Sequence, residues 1–487
     1  MKADVVVVGG GPTGMWLACE LSLAGVSTVV LEQRRDVDPH SRALTVHPRT
    51  VETLALRDAH GPLLAESGRL PSGHFAALDE RLDFSCLDTD FPFTLTIPQA
   101  RTTRLLEQRA RGHGAAIRRG HRVIGLADDG DAVRVSAEGP DGRYCMAAEY
   151  VVGCDGTRST VREHAGIPFV GTDFSTIGWL GDVTLADPPS APVVSVWSRN
   201  GAVMCVALPD GQYRFVGNAP EDNRTDWPGE PTFDELRSLV VRVLGTDFGM
   251  HTPTWLSRFG DTSRLASTYR KGRVLLAGDA AHQHMPNGGV GLNVGVQDAM
   301  NLGWKLAATV SGRAPDGLLD TYHAERHPVG ADTIEHTQAQ TALMTNFSEQ
   351  GVALRKLLGG LISECPQLRD ALAERLSGLS VRYPPRASAH PLVGQRAPDL
   401  RLSEDVSLFG LLTRGDFAVV DFTGGVPAAP GPKLVWHRAA LPQERQTWSG
   451  IGAALIRPDG YVGWASDESD PTTLARELER AVAATRT

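Results

Sequence analysis

The sequence predicts an α/β protein of several domains: a parallel sheet, an antiparallel sheet inserted into it, and a small domain at the end. Three observations carry this. Residues 4–32 run strand, turn, helix, strand. Apolar strands at Tyr150–Gly153 and Val274–Ala277 recur later, each running into an Asp-Gly or Gly-Asp pair. The stretch between them alternates apolar and polar residues in short runs. At roughly 150 residues per domain, 487 residues make about three domains.

The first strand, Val5 to Val8, is four β-branched residues. A glycine-rich turn leads to a helix over Met15–Ala24, which Gly25 ends with a left-handed cap, and a strand follows over Thr28–Leu31. Unbroken Val/Leu strands imply a parallel sheet buried on both faces. The two later strands return to it, so the sequence between them is an insertion. From about Gly171 to Tyr269, Val193–Trp197, Val203–Leu208 and Tyr213–Val216 read as antiparallel strands. This segment also holds Phe174, Trp179, Trp197, Tyr213, Phe215, Trp227, Phe233, Phe248, Trp255 and Phe259. Sheet core is the first reading of any one ring, and a ring-lined apolar pocket the second. Ala299 to about Leu379 is helical. After Pro384-Pro385 and Pro398, strands Ala454–Arg457 and Tyr461–Trp464 flank the turn Pro458-Asp459-Gly460, and Asp470-Pro471 caps a last helix with Leu474, Leu478 and Val482 on one stripe. The boundaries read as 1–170 with a small excursion at about 71–97 into the domain of the insertion, the insertion 171–270, the returning part 271–389, and a terminal domain 390–487.

Composition narrows the function. Hydrophobic residues at 41% and charged residues at 22% are those of a globular protein. Lys plus Arg number 48 against 57 Asp plus Glu, a net charge of −9, which excludes nucleic acid as the expected partner. Cys19, Cys86, Cys145, Cys154, Cys205 and Cys365 are scattered, so neither a disulfide framework nor a metal site is expected, and a cytoplasmic location fits. The apolar run from Val5 is broken by Gly9-Gly10-Gly11 and Pro12, which argues against a signal peptide or membrane span.

Gly9-x-Gly11-x-x-Gly14 sits between strand and helix, and Glu32 closes the second strand, where a carboxylate reaches a ribose hydroxyl pair. The pattern is a Rossmann-like dinucleotide site, in which the helix N-terminus receives a pyrophosphate; NAD and FAD both use it. Gly278-Asp279 at a strand end, followed by Pro286 and Gly288-Gly289-Val290-Gly291-Leu292-Asn293, points to flavin. A carboxylate there accepts from a polyol, and a helix N-terminus stabilises an anionic ring carbonyl. Gly153-Cys154-Asp155-Gly156-Thr157-Arg158 is a third strand-end motif, with Arg162 just beyond.

These three motifs, in this order over about residues 1–330, resemble those of the single-component flavoprotein aromatic hydroxylases of the para-hydroxybenzoate hydroxylase type. Leu82-Asp83-Phe84, Ile97-Pro98-Gln99-Ala100-Arg101-Thr102, Thr246-Asp247-Phe248-Gly249-Met250-His251 and Ile456-Arg457-Pro458-Asp459-Gly460-Tyr461 resemble the aromatic polyketide hydroxylases among them. The resemblance implies a Rossmann-like FAD-binding domain, an inserted antiparallel-sheet substrate-binding domain at 171–270, and a thioredoxin-like terminal domain. It implies FAD held by Gly9, Gly11, Gly14 and Glu32, with Arg42 and Gln99 touching it and Asp279 on the ribityl chain. Pro12, Thr13, Gln33, Gly278, Pro286 and Gly289 complete the set. Asp155 and nearby arginines are expected to serve FAD and a transient NADPH (or NADH). The reaction it implies has NADPH reducing FAD, O₂ adding at C4a, and the hydroperoxide hydroxylating a polycyclic phenol in antibiotic biosynthesis. The amides of Gly291, Leu292 and Asn293 stabilise the reduced ring, and no catalytic side chain is named. Inactivation of a polycyclic antibiotic, or a flavin-dependent reductase, are the alternatives.

Several residues carry a second reading. His282-x-His284 has metal-ligand spacing but no third ligand. His47 is expected to bond backbone rather than act as a base, and Cys154 to be a small buried hydrophobe. Relatives usually carry Gln where this chain has Val290, so a polar group beside the ring is expected to be missing. The insertion is expected to line a wide pocket with several aromatic rings and no arginine. The terminal domain holds no cysteine, so it reads as a structural or homo-oligomer contact module whose removal spares the flavin site.

Overall fold

Strand Lys2–Val8 carries four consecutive valines with side chains on both sheet faces, and all four are buried. That double burial places it at the centre of a sheet. The computed structural model describes residues 2–40, 43–208, 210–384, 389–426, 433–440 and 446–484. In it, Lys2–Val8 pairs in parallel with Thr28–Glu32 on one side and with the end of Gly142–Gly153 on the other. The parallel set extends to Ala116–Arg119 beyond the first and Val274–Leu276 beyond the second. The earlier half of Gly142–Gly153 pairs antiparallel with Val133–Gly139, forming a hairpin off this sheet. Helix α1 (Pro12–Leu23) begins earlier than its apolar pattern indicates, because Pro12 suits the first helical turn. It ends as expected, with Gly25 left-handed at φ 84°. Helix α2 (Pro48–Ala55) is wholly buried.

The insertion forms a five-stranded antiparallel sheet in the order Val193–Ser198, Gly201–Ala207, Tyr213–Asn218, Ile177–Leu185, Met250–Gly260. Helix α3 (Phe233–Leu244) covers one face. It opens with a capping box, Thr232 accepting from the Glu235 amide while Glu235 accepts from the Thr232 amide.

Four helices follow: α4 (Gly291–Val310), α5 (Thr321–Met344), α6 (Glu349–Glu364) and α7 (Pro366–Ser377). Residues Ala76, Leu78, Leu82, Phe84 and Leu87 pack into an apolar cluster with Leu343, Ile362 and Leu376, so the expected excursion at 71–97 joins these helices.

In the terminal part, Phe417–Asp421 pairs in parallel with Leu434–Arg438 and antiparallel with Ala453–Ile456, which pairs with Val462–Ser466. Asp470 caps helix α8 (Pro471–Ala484) through the Thr473 amide at 2.8 Å. The expected hairpin at Pro458-Asp459-Gly460 is present, but its position corrects the view of a detachable module. It is driven between α1, α2, α4 and α5. Arg57 donates to the carbonyls of Pro458 and Leu412. Trp304 Nε1 donates to Asp459 at 3.1 Å, and Arg457 makes two 2.8 Å bonds to Glu325, which also pairs with Lys305. Burial lowers Lys305, and its net value is about 8, while Arg457 and Lys305 outweigh burial and hold Glu325 well below the usual carboxylate range. Removing one side strands the other's buried charges. No helix among the described residues is long and apolar enough to cross a membrane.

Candidate functional site

Two helices start side by side with no side-chain cap: α1 after Gly11, and α4 after Val290. A Cβ on Gly14 would overlap the Gly9 carbonyl, and one on Gly9 the Cys154 carbonyl, so backbone packing demands both glycines. Gly11 is different. Its φ is −77°, open to any residue, and a Cβ there would meet nothing within 4 Å. The fold does not need that glycine; space in front of the α1 amides does. Thr13 sits where three motifs meet, its Oγ1 2.8 Å from a Cβ placed on Gly278 and against Gly295 of α4. The first bond within α4 runs from the Val294 amide to the Val290 carbonyl, leaving the amides of Gly291, Leu292 and Asn293 without helical acceptors. Asp279 is exposed between the two helix starts, with no hydrogen bond or ion pair among the described residues. Its Oδ1 is 4.0 Å from a Cβ position on Gly291.

Around this core, Glu32 accepts from the amides of Gly10 (2.6 Å) and Arg34 (2.8 Å), which fixes its carboxylate at the strand end. Pro12 is buried at the first turn of α1, and Gln33 is exposed. Gln99 Oε1 accepts from the Ala43 amide at 3.3 Å. Arg42 lies outside the described residues.

The loop Pro286–Asn293 is braced from behind. Buried His47 donates from Nε2 to the Gly288 carbonyl at 2.7 Å and accepts at Nδ1 from Thr94 at 3.0 Å; burial lowers its pKa to about 4, so it is neutral. Asn293 accepts from the His47 amide and donates to the Thr45 and Gly289 carbonyls, so only its own amide is available to a ligand. Val290 is buried in the apolar cluster with Leu82 and Leu376, so it anchors the loop there.

Sequence reasoning missed Asp298. Its Oδ2 accepts from the Gly278 amide (3.0 Å) and from His282 Nε2 (2.7 Å), and its Oδ1 from Arg326 (2.7 Å), all fully buried. Burial pushes this carboxyl up, but Arg326 and His282 outweigh it and hold it below its ordinary range. Asp298, held by His282 and Arg326, therefore positions the Asp279 turn. The only signal was a lone acid on a largely buried helix face.

Asp155 and Arg162 make their hydrogen bonds within the protein. Asp155 is turned inward, accepting from Ser159 Oγ at 2.5 Å and the Val161 amide at 3.2 Å. Arg162 is buried on the carbonyls of Ala280 and Thr157. Both hold turns; Arg162 is buried, Asp155 is half-buried, and Arg158 beside them is exposed.

The aromatic residues of the insertion divide between the two sheet faces. Trp179 and Phe215 are buried under α3, with Tyr213, Phe233 and Phe248 packed on them. By register, Trp197, Trp255 and Phe259 lie on the opposite face. That face is roofed by His40, stacked on Trp255 at 5.0 Å, and by Phe347, stacked on Trp197 at 5.6 Å. It also carries an arginine, contrary to expectation: Arg214 lies under Trp255 and is paired with Asp182 by two 2.7 Å bonds.

Comparison with known proteins places this geometry. Residues 2–337 match the FAD binding domain family, and residues 390–485 match the aromatic-ring hydroxylase C-terminal family. The solved structure of OxyS anhydrotetracycline hydroxylase from Streptomyces rimosus superposes with a TM-score of 0.89 at 40% identity, covering 100% of this chain and 99% of that one. Rifampicin monooxygenase of Streptomyces venezuelae is 41% identical over 469 residues, 96% of each chain. Dialkyldecalin synthase of Streptomyces rugosporus is 38% identical over 475 residues, 96% of this chain and 97% of the other. With the FAD-binding match spanning well over half its length and the hydroxylase match covering its end, the chain belongs to the FAD-dependent aromatic-ring hydroxylases.

Proposed function

We propose that this protein is an FAD-dependent, NAD(P)H-consuming monooxygenase that adds one oxygen from O₂ to a polycyclic phenolic substrate. The observation that carries the reading is the meeting of two uncapped helix starts and one free carboxylate around Thr13. The residues fit FAD. The amides of Gly11, Thr13 and Gly14, with Pro12 opening the helix, would take the pyrophosphate, Glu32 a ribose, Asp279 the ribityl chain, and the amides of Gly291, Leu292 and Asn293 the electron-rich edge of the ring. Bound FAD supplies the redox and oxygen-activating chemistry. The chain supplies binding, a rigid loop braced by His47, Asn293 and Asp298, and exclusion of water. In this reading residues 1–170 and 271–389 form the Rossmann-like cofactor domain, 171–270 the substrate domain, and 390–487 a thioredoxin-like domain locked against both α1 and α4.

A ring-rich face on which Arg214 is paired with Asp182, and Arg355 packs over Trp197 while donating to the Ala76 and Ala77 carbonyls, favours a neutral fused-ring phenol over a small carboxylate. Incubation with NADPH, ¹⁸O₂ and a panel of polycyclic phenols tests this. A product heavier by one labelled oxygen, with NADPH oxidation accelerated by that phenol, is expected; turnover of a hydroxybenzoate, or oxidation yielding only peroxide with every phenol, contradicts it. The 41% identity to a rifampicin monooxygenase supports a second reading, inactivation of a polycyclic antibiotic, and loss of antibacterial activity in the product distinguishes it. The dialkyldecalin synthase shares this scaffold, so the labelled oxygen, rather than the fold, decides the reaction class.

A further inference from the structure

A second cavity lies far from the cofactor cradle, where the terminal domain meets α1 and α4. It encloses about 350 Å³, walled by Leu23 and Ala24 of α1, Trp304, Ala307 and Ala308 of α4, and Phe417. Gly11 and Gly291 mark the opposite ends of these helices, roughly 20 Å away at 1.5 Å per residue. The walls are preformed: Trp304 is fixed by its bond to Asp459, and it meets Phe417 edge to face with ring centroids 5.5 Å apart. Glu20 also lines the cavity. It is 4% exposed, and both bonds from Arg57 fall on Oε2, while Oε1 is buried with no donor among the described residues. At the rim, Arg313 and Arg414 are exposed, and Lys433 is paired with Asp416.

We propose that this cavity is a second small-molecule site, which takes a planar aromatic molecule with an anionic group facing Arg313 and Arg414. Its volume is at the lower end for small-molecule sites, enough for two or three fused rings. Its apolar walls take the ring system, and the two arginines select charge at the outer end.

The probe is 2-naphthoate, whose carboxylate stands at one end of a flat ring pair that lacks a phenolic hydroxyl, titrated calorimetrically into the FAD-loaded full-length protein. Saturable binding is expected. Ala308→Trp, which fills the cavity, and Arg414→Glu, which reverses charge at the rim, should each weaken it at least about tenfold, the effect of one lost charged contact. FAD content should be unchanged in both. If Ala308→Trp does not fold, the Arg414→Glu result alone decides. Absence of binding up to millimolar probe, binding that the folded variants leave intact, or a soaked crystal with only water beside Glu20 overturns the proposal.

Discussion

Gly11→Ala and Gly14→Ala are the same chemical change three residues apart, yet they should fail in different ways. At Gly14 the new Cβ overlaps the Gly9 carbonyl, backbone that cannot step aside without moving the Lys2–Val8 strand end. Overpacking of that kind costs about 1–3 kcal/mol or more in the fold itself. At Gly11 the Cβ meets nothing within 4 Å and φ is −77°. Alanine is a poorer N-cap than glycine by up to roughly 1 kcal/mol, but it also lowers the entropy of the unfolded chain by about 0.4–1 kcal/mol, so the two nearly cancel. The apoprotein of Gly11→Ala should therefore melt within about 2 °C of the parent. Its FAD affinity should fall, because a methyl group now occupies the approach to the α1 amides. A displacement costing about 1–3 kcal/mol is on the order of 5- to 150-fold in Kd. Thermal melts of stripped protein and quenching of flavin fluorescence on titration give the two numbers separately. Unchanged FAD affinity in Gly11→Ala would refute the cradle; an equal loss of stability in both variants would refute the claim that its space belongs to a ligand.

Other consequences are equally concrete. Asp279→Ala should lower FAD affinity by about 10- to 150-fold, the worth of a charge-assisted bond, while the stripped protein melts like the parent because that carboxylate is exposed and unpaired; equilibrium dialysis checks it. A chain ending at residue 389 should be insoluble or strongly destabilised, since breaking even one buried pair such as Glu325 with Arg457 typically costs about 3–5 kcal/mol; a soluble, FAD-loaded fragment would contradict the interlock. Acid should loosen the flavin loop. The folded pKa of His47 is lowered from 6.5 to about 4, so the unfolded chain binds the extra proton first. Its contribution, roughly 3 kcal/mol, is intact above pH 6.5 and is lost as pH falls toward 4. Urea melts between pH 7 and 5 should show that slope, and His47→Asn should flatten it.

What the sequence made legible was local. The strand, turn and helix of residues 2–25 follow from valine runs, glycine spacing and a left-handed cap, all within a few residues of one another. The hairpin at Pro458-Asp459-Gly460 and the cap at Asp470 are equally short-range. Long-range pairing was not readable. Asp298 meets Arg326 across 28 residues and His282 across 16, and nothing in one helix's pattern names its partner on another. The terminal domain looked separable because its own elements are self-contained, whereas Arg57 reaches Pro458 across 401 positions. Composition alone could not divide the aromatic rings between core and open face. Strand periodicity assigns residues to alternate faces, but only α3 decides which face becomes core, and it claimed Trp179 and Phe215. Arg214 was overlooked because its neutralising partner, Asp182, stands on a neighbouring strand. Val290 shows the same limit, since an apolar residue in a glycine-rich loop gives no sign of which way it turns.

The most direct test of the central claim is the cofactor itself. The protein is purified without added flavin, denatured by heat, and the released small molecules are weighed and quantified against the chain. In the proposed site Glu32 would hold an adenosine ribose and Asp279 a ribityl chain, so FAD is expected at about one per chain. Recovery of FMN, of a nicotinamide dinucleotide, or of nothing from protein that also fails to take up FAD would contradict the site as described.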